Sequence, residues 1–152
     1  MKPGDTVDDF ELPDETGTPR RLSELLAAGP VVLFFYPAAM TTGCTAQSCH
    51  FRDLAGEFAE LGARPVGISP DDVGKQQAFS AAHGGFGFPL LSDPDGTVAR
   101  MFGTRRSFGP LRTRRRTFVI DTDRTLLTEI RSEFRMNSHA DSALEALRGR
   151  SS

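Results

Sequence analysis

The chain has 152 residues, a quarter of them charged and 38% apolar, with a formal net charge of −2. That length suits one domain spanning residues 1–152, able to bury about 70% of its unfolded surface. The charge gives no general pull towards nucleic acid or an anionic membrane, and two cysteines are too few for a disulfide scaffold.

The N-terminus, Met1-Lys2-Pro3-Gly4-Asp5, lacks the apolar segment and small-residue cleavage site of a signal peptide. The longest apolar run, Val31 to Tyr36, is far too short to span a bilayer. Both observations point to a cytoplasmic protein.

In chain order, Asp9-Phe10-Glu11-Leu12-Pro13 and Pro19-Arg20-Arg21-Leu22 are short strand-like pieces around the turn signal Asp14-Glu15-Thr16-Gly17. They predict an N-terminal hairpin added to a core. Ser23 is placed to cap a brief helix ending near Gly29. Val31 to Tyr36 show no alternation, as expected of a central strand covered on both faces. A helix is predicted from about Cys44 to Leu61, stopped by Gly62. Phe51, Leu54, Ala55 and Phe58 form its apolar face; Cys44 falls in line with them and Cys49 with the polar side.

Pro65 to Ser69 reads as a second core strand. Ser69-Pro70-Asp71-Asp72 supplies a cap, a proline and an acid for the next helix, which ends near His83-Gly84-Gly85. Phe88 to Leu91 is extended, and Ser92 to Gly96 is a turn into a short helix through Met101. A Gly- and Arg-bearing loop covers 103–114. Strands at Arg115–Asp121 and Thr125–Arg131 form a hairpin at a sheet edge, and a last helix runs from about Ser138 to Arg148.

This order is hairpin, β-α-β-α, then β-β-α. It implies an α/β protein with the thioredoxin-like fold: a central mixed sheet, helices on both faces and the N-terminal β-hairpin as an extension. Chemistry in open α/β sheets sits beyond the carboxyl ends of the parallel strands. The stretch Pro37 to Cys44 occupies that place.

A thiol in the first turn of a helix meets free backbone N–H groups and a positive dipole end, which favour the thiolate. Lowering a thiol pKa from about 8.5 to about 6 raises its thiolate fraction near neutrality about thirtyfold. Enzymes commonly accelerate reactions by at least about a millionfold. Ionisation of Cys44 therefore needs help from groups that orient an electrophile and stabilise developing charge. Thr41 can accept from one atom and donate to another, and an arginine supplies a fixed charge with several donors. Pro37 stiffens the loop and Gly43 permits close approach of the backbone.

Pro37-x3-Thr41-x2-Cys44 resembles the active-site signature of the peroxiredoxins. Phe35-Tyr36-Pro37, Gly43-Cys44-Thr45, and Cys49 with Phe51-Arg52-Asp53 are similar to the peroxiredoxin Q, or bacterioferritin comigratory protein, branch. Arg115-x-x-Phe118-x-Ile120-Asp121 matches a strand motif of that family, while Thr42 stands where the branch commonly has proline. The resemblance covers nearly the whole chain. It implies a thiol peroxidase for hydrogen peroxide or organic hydroperoxides, with Cys44 peroxidatic, Cys49 resolving, and Pro37, Thr41 and Arg115 completing the pocket. It further implies a Cys44–Cys49 disulfide reduced by thioredoxin or a similar protein, a monomer or weak dimer, and no metal, flavin or haem. Strand alternation puts Arg114 and Arg116 on the face opposite Arg115.

Three other readings compete. A redox sensor would use the same chemistry with little turnover. A disulfide oxidoreductase would carry Cys-x2-Cys rather than Cys44-x4-Cys49. The arginines between 105 and 116 form a basic run, but no interleaved aromatics support nucleic-acid binding. Cysteine and histidine spacings exclude a zinc-finger pattern, and His50, His83 and His139 read as surface or packing residues. Phe10, Phe86 and Phe88 suit either pocket walls or core.

Overall fold

The computed structural model describes residues 2–39, 42–104, 115–131 and 136–150, and only the backbone of 42–44, 136–138 and 150. Five strands form one sheet in the order β5-β4-β3-β6-β7: β3 (Val31–Phe35), β4 (Arg64–Ser69), β5 (Leu90–Ser92), β6 (Arg116–Ile120) and β7 (Leu126–Arg131). β3, β4 and β5 are parallel, whereas β6 runs antiparallel to both β3 and β7. The expected mixed sheet is present, but of the two late hairpin strands only β7 lies at an edge. β6 is inserted beside β3, because its Thr117, Phe118, Val119 and Ile120 are all buried and need cover on both faces. β1 (Glu11–Pro13) and β2 (Pro19–Arg21) make the separate N-terminal hairpin.

Two apolar clusters cover the two faces of the sheet. One joins Leu33, Phe35, Ile68 and Phe118 to α1 (Leu22–Leu26) and α5 (Thr97–Met101). The other joins Val32, Phe34, Tyr36 and Val119 to α2 (Thr42–Asp53), α3 (Ala55–Glu60), α4 (Val73–Ala82) and α6 (Met136–Arg150). Alternating residues of β3 feed opposite clusters, so its unbroken apolar run is what a strand between two helical layers requires.

Three local expectations are corrected. Ser23 lies inside α1; the cap comes from Asp9, whose carboxylate accepts from the Ser23 N–H at 2.9 Å and from its hydroxyl at 2.8 Å. The helix expected over residues 44–61 is two helices, divided at Leu54 (φ −96°, ψ 7°), where the weak helix formers Asp53 and Gly56 flank the break. The cap of α4 is Asp72, accepting from the Lys75 N–H at 2.8 Å, because Ser69 is the last residue of β4 and its hydroxyl is used elsewhere.

Gly29 and Gly62 precede β3 and β4. Gly29 has φ 146°, and a Cβ built on it would lie 1.8 Å from the Gly62 carbonyl oxygen. Gly29→Ala is therefore expected to cost about 3 kcal/mol or more. A melting temperature lower by about 6–12 °C would register this.

Candidate active site

The segment that follows β3 is held at Tyr36 and Ala39 by one hydrogen-bonded network. Tyr36, fully buried, donates its hydroxyl to Gln76 Oε1 at 2.5 Å. Gln76, fully buried in α4, donates through Nε2 to Ser69 Oγ at 2.9 Å and to the Leu91 carbonyl at 2.7 Å. Ser69 Oγ donates to Asp71 Oδ2 at 2.8 Å, and the same carboxylate oxygen accepts from the Ala39 N–H at 2.6 Å. Pro37, itself buried, is thus fixed between Tyr36 and Ala39. A charged acceptor on a backbone N–H is a strong hydrogen bond. The network carries the order of β4 and α4 into the loop.

Beyond that loop α2 begins at Thr42, which places the Cys44 backbone in its first turn. The first-turn N–H groups have no intrahelical partners, so this end of a 12-residue helix favours negative charge. Thr41 and the Cys44 side chain lie outside the described residues. Gln47 follows Cys44 by three positions, one turn on along the same face of α2.

Arg115 immediately precedes β6 and is 5% exposed. Strand alternation groups it with Thr117 and Val119, on the face that α2 and α6 cover. Its Nη1 donates to Gln47 Oε1, joining the start of β6 to the first half of α2. Arg116, on the other face, pairs with Glu129 at 3.6 Å and donates to the Arg115 carbonyl at 2.8 Å. The alternation expected for these two neighbours is observed. Arg105, Arg106, Arg112 and Arg114 lie outside the described residues.

The model of the AhpC/TSA family matches residues 3–128 of the chain. A putative peroxiredoxin of Mycobacterium tuberculosis is 64% identical over 150 residues, covering 97% of each chain. The crystal structure of peroxidoxin BcpB from the same organism superposes with a TM-score of 0.93 at 62% identity, over 98% of this chain and 97% of that one. The chain is a peroxiredoxin of the AhpC/TSA family. The bacterioferritin comigratory protein of Xanthomonas campestris, solved in a study of its alkyl peroxide reduction, is 32% identical with a TM-score of 0.85, over 100% of this chain and 98% of that one. The resemblance to that branch and the thioredoxin-like fold are both confirmed.

As a peroxiredoxin the protein is a thiol-dependent peroxidase, and the geometry can be read accordingly. Cys49 is half-buried and packs against the α2-side apolar cluster, which corrects its expected place on a polar face. The helical wheel of α2 alone misses this, because the cluster is completed by residues of other elements, α6 among them. The neighbouring His50 meets Asp141 of α6 at 3.0 Å, and His139 is fully buried with Nδ1 2.7 Å from Thr117 Oγ1. Phe10 packs edge-on to Phe102 in the α1-side core, and Phe88 edge-on to Phe34 in the other.

Gln47, Asp71 and Gln76 were missed by sequence reasoning. Only Gln47 had a local signal, its spacing from Cys44; the other two are defined by contacts between distant elements. Among the described residues Gln47 Nε2 is buried without a hydrogen-bond partner, an arrangement that costs about 1–3 kcal/mol. Retaining the amide at that cost fits a demand for its other end, the acceptor that holds Arg115. Gln47→Leu in this peroxiredoxin is expected to lower kcat/KM for peroxide about tenfold with the fold intact. Gln47→Glu, which keeps an acceptor, should recover most of that loss. Stopped-flow oxidation rates of the three proteins check it.

Proposed function

We propose that Cys44 is the peroxidatic cysteine and Cys49 the resolving one, in a domain formed by residues 1–152. Pro37, Thr41 and Arg115 shape the peroxide pocket in this reading. It is carried by one observation, the bond from Arg115 to Gln47 one helical turn beyond Cys44. A guanidinium held there is suited to stabilise charge on the oxygens of a peroxide as the O–O bond breaks. The Cys44 thiolate attacks one peroxide oxygen, forming sulfenic acid and expelling water or an alcohol. The Cys49 thiol then displaces water from the sulfenic acid, and an external dithiol protein such as thioredoxin reduces the disulfide by exchange.

The substrates of this reading are hydrogen peroxide and organic hydroperoxides, the second class supported by the alkyl peroxide reduction studied for the Xanthomonas relative. We further read the protein as cytoplasmic and monomeric; among the described residues no helix is long and apolar enough to cross a membrane. The test is turnover of each peroxide with thioredoxin, its reductase and NADPH. Sustained NADPH consumption supports the reading. One rapid oxidation without turnover would point to a sensor.

Residues 44 and 49 both lie in α2. In an intact helix, positions five apart have Cα atoms about 8.6 Å apart and face about 140° away from each other. A disulfide requires about 4.4–6.8 Å. Closing the bond must therefore unwind α2 between the two cysteines, while Phe51, stacked on Phe34 with ring centroids 4.3 Å apart, anchors the remainder of the helix. Amide exchange over residues 44–49 should speed up at least about tenfold in the oxidised protein. Unchanged protection in a form proven to hold the Cys44–Cys49 disulfide would rule out the unwinding.

A further inference from the structure

A cavity of about 340 Å³ lies at the amino ends of β4 and β5, lined by Glu15, Arg20, Arg64, Ser80, Phe86 and Phe88 among others. Arg64 opens β4 opposite Val31, the first residue of β3. The cavity is therefore at the end of the sheet remote from the Pro37–Cys44 segment, and the peroxidase reading does not use it.

Its charges are unevenly matched. Arg20 is committed through Nε to Asp14 Oδ2 at 2.8 Å, and Asp14 is nearly fully buried in the hairpin turn, where it also accepts from Thr16 and Thr18. Arg64 is half-buried and forms no ion pair among the described residues. Burial, and then the charge of Arg20, depress the proton affinity of the Arg64 guanidinium. Glu15 shares the cavity without pairing with either arginine; its Oε2 accepts from the Leu90 N–H at 3.2 Å, and burial pushes its carboxyl up. Phe86 and Phe88 stack with centroids 5.7 Å apart at 28° and supply an apolar wall.

A half-buried cation beside a second cation is stabilised by an oxyanion whose oxygens accept from both guanidinium groups. The volume suits a small molecule, and the cavity sets a charged side, Arg20, Arg64 and Glu15, against the apolar edge of Phe86 and Phe88. We infer that this cavity is a second binding site, for a small organic anion that sets a carboxylate or phosphate on Arg64 and Arg20 and an apolar body against Phe86 and Phe88.

The test is a two-dimensional NMR titration of the reduced full-length protein with benzoate, phenyl phosphate, inorganic phosphate and benzyl alcohol. Saturable shifts at Arg64 and residues 85–90 are expected for benzoate or phenyl phosphate, with Kd on the order of 1 mM for such small probes. Inorganic phosphate should bind at least about fivefold more weakly than phenyl phosphate, and benzyl alcohol should not saturate. Arg64→Gln should weaken binding about tenfold or more, Arg64→Lys should fall between, and Glu15→Gln, which removes the opposing carboxylate but keeps an acceptor for Leu90, should tighten it about threefold. Peroxide turnover of Arg64→Gln should equal that of the parent, which separates failure here from failure of the peroxidase reading. Absence of saturable shifts at these residues, equal affinity in Arg64→Gln, or equal affinity for inorganic phosphate and phenyl phosphate would overturn the inference.

Discussion

Cys44→Ser is expected to reduce peroxide consumption to the uncatalysed background. The reason is chemical before it is structural. A serine hydroxyl at the same helix terminus remains protonated near neutrality and lacks the polarisable sulfur lone pair that a thiolate donates into an O–O bond. The free N–H groups of the first turn stabilise only a charge that forms. Cys49→Ser has a different expected result. The first oxidation should proceed at the parental rate, because Cys49 lies more than a turn further along α2 and takes no part in it. Turnover with thioredoxin should then stop after about one equivalent of peroxide, with Cys44 held as sulfenic acid and open to further oxidation. Mass spectrometry should find one added oxygen in Cys49→Ser and none in Cys44→Ser. Peroxide-driven oxidation of Cys44→Ser at the parental rate would move the reactive sulfur to Cys49 and reverse the assignment.

The second large effect is expected at Arg115. Arg115→Met should lower kcat/KM for peroxide by about 100- to 1,000-fold, the range seen when one preorganised donor to developing charge is removed. Arg115→Lys should recover part of this, since it keeps the charge but not the planar fork. Arg116→Met is the control. Arg116 faces the other side of β6 and is engaged with Glu129, so its loss should change the rate by less than about threefold. A rate loss in Arg116→Met matching that in Arg115→Met would mean that the register of β6, not the chemistry of one guanidinium, governs activity.

Much of the fold and chemistry was legible from residues in order. The unbroken apolar run of β3, the thiol after it, and the spacing of Pro37, Thr41 and Cys44 carry the resemblance to a family and its chemistry, because each depends on positions close in the chain or on a period of two or 3.6. The element order yielded the mixed sheet for the same reason. Helix limits were less secure: weak helix formers at Asp53 and Gly56 do not by themselves announce the division of α2 from α3 at Leu54, and the cap on α1 comes from Asp9, outside the helix.

Packing between distant elements set the surroundings of the reactive turn. Gln76 and Asp71 clamp Tyr36 and Ala39 across separations of 40 and 32 residues, and Arg115 reaches Gln47 across 68. Cys49 is half-buried against the α2-side apolar cluster, on a helix face that its own sequence marks as polar. Residue order alone was enough to nominate the atoms proposed to react, since nucleophilicity belongs to a residue type at a helix start. What holds and screens those atoms came only with folding, because hydrogen bonds and burial are properties of pairs that no local pattern records.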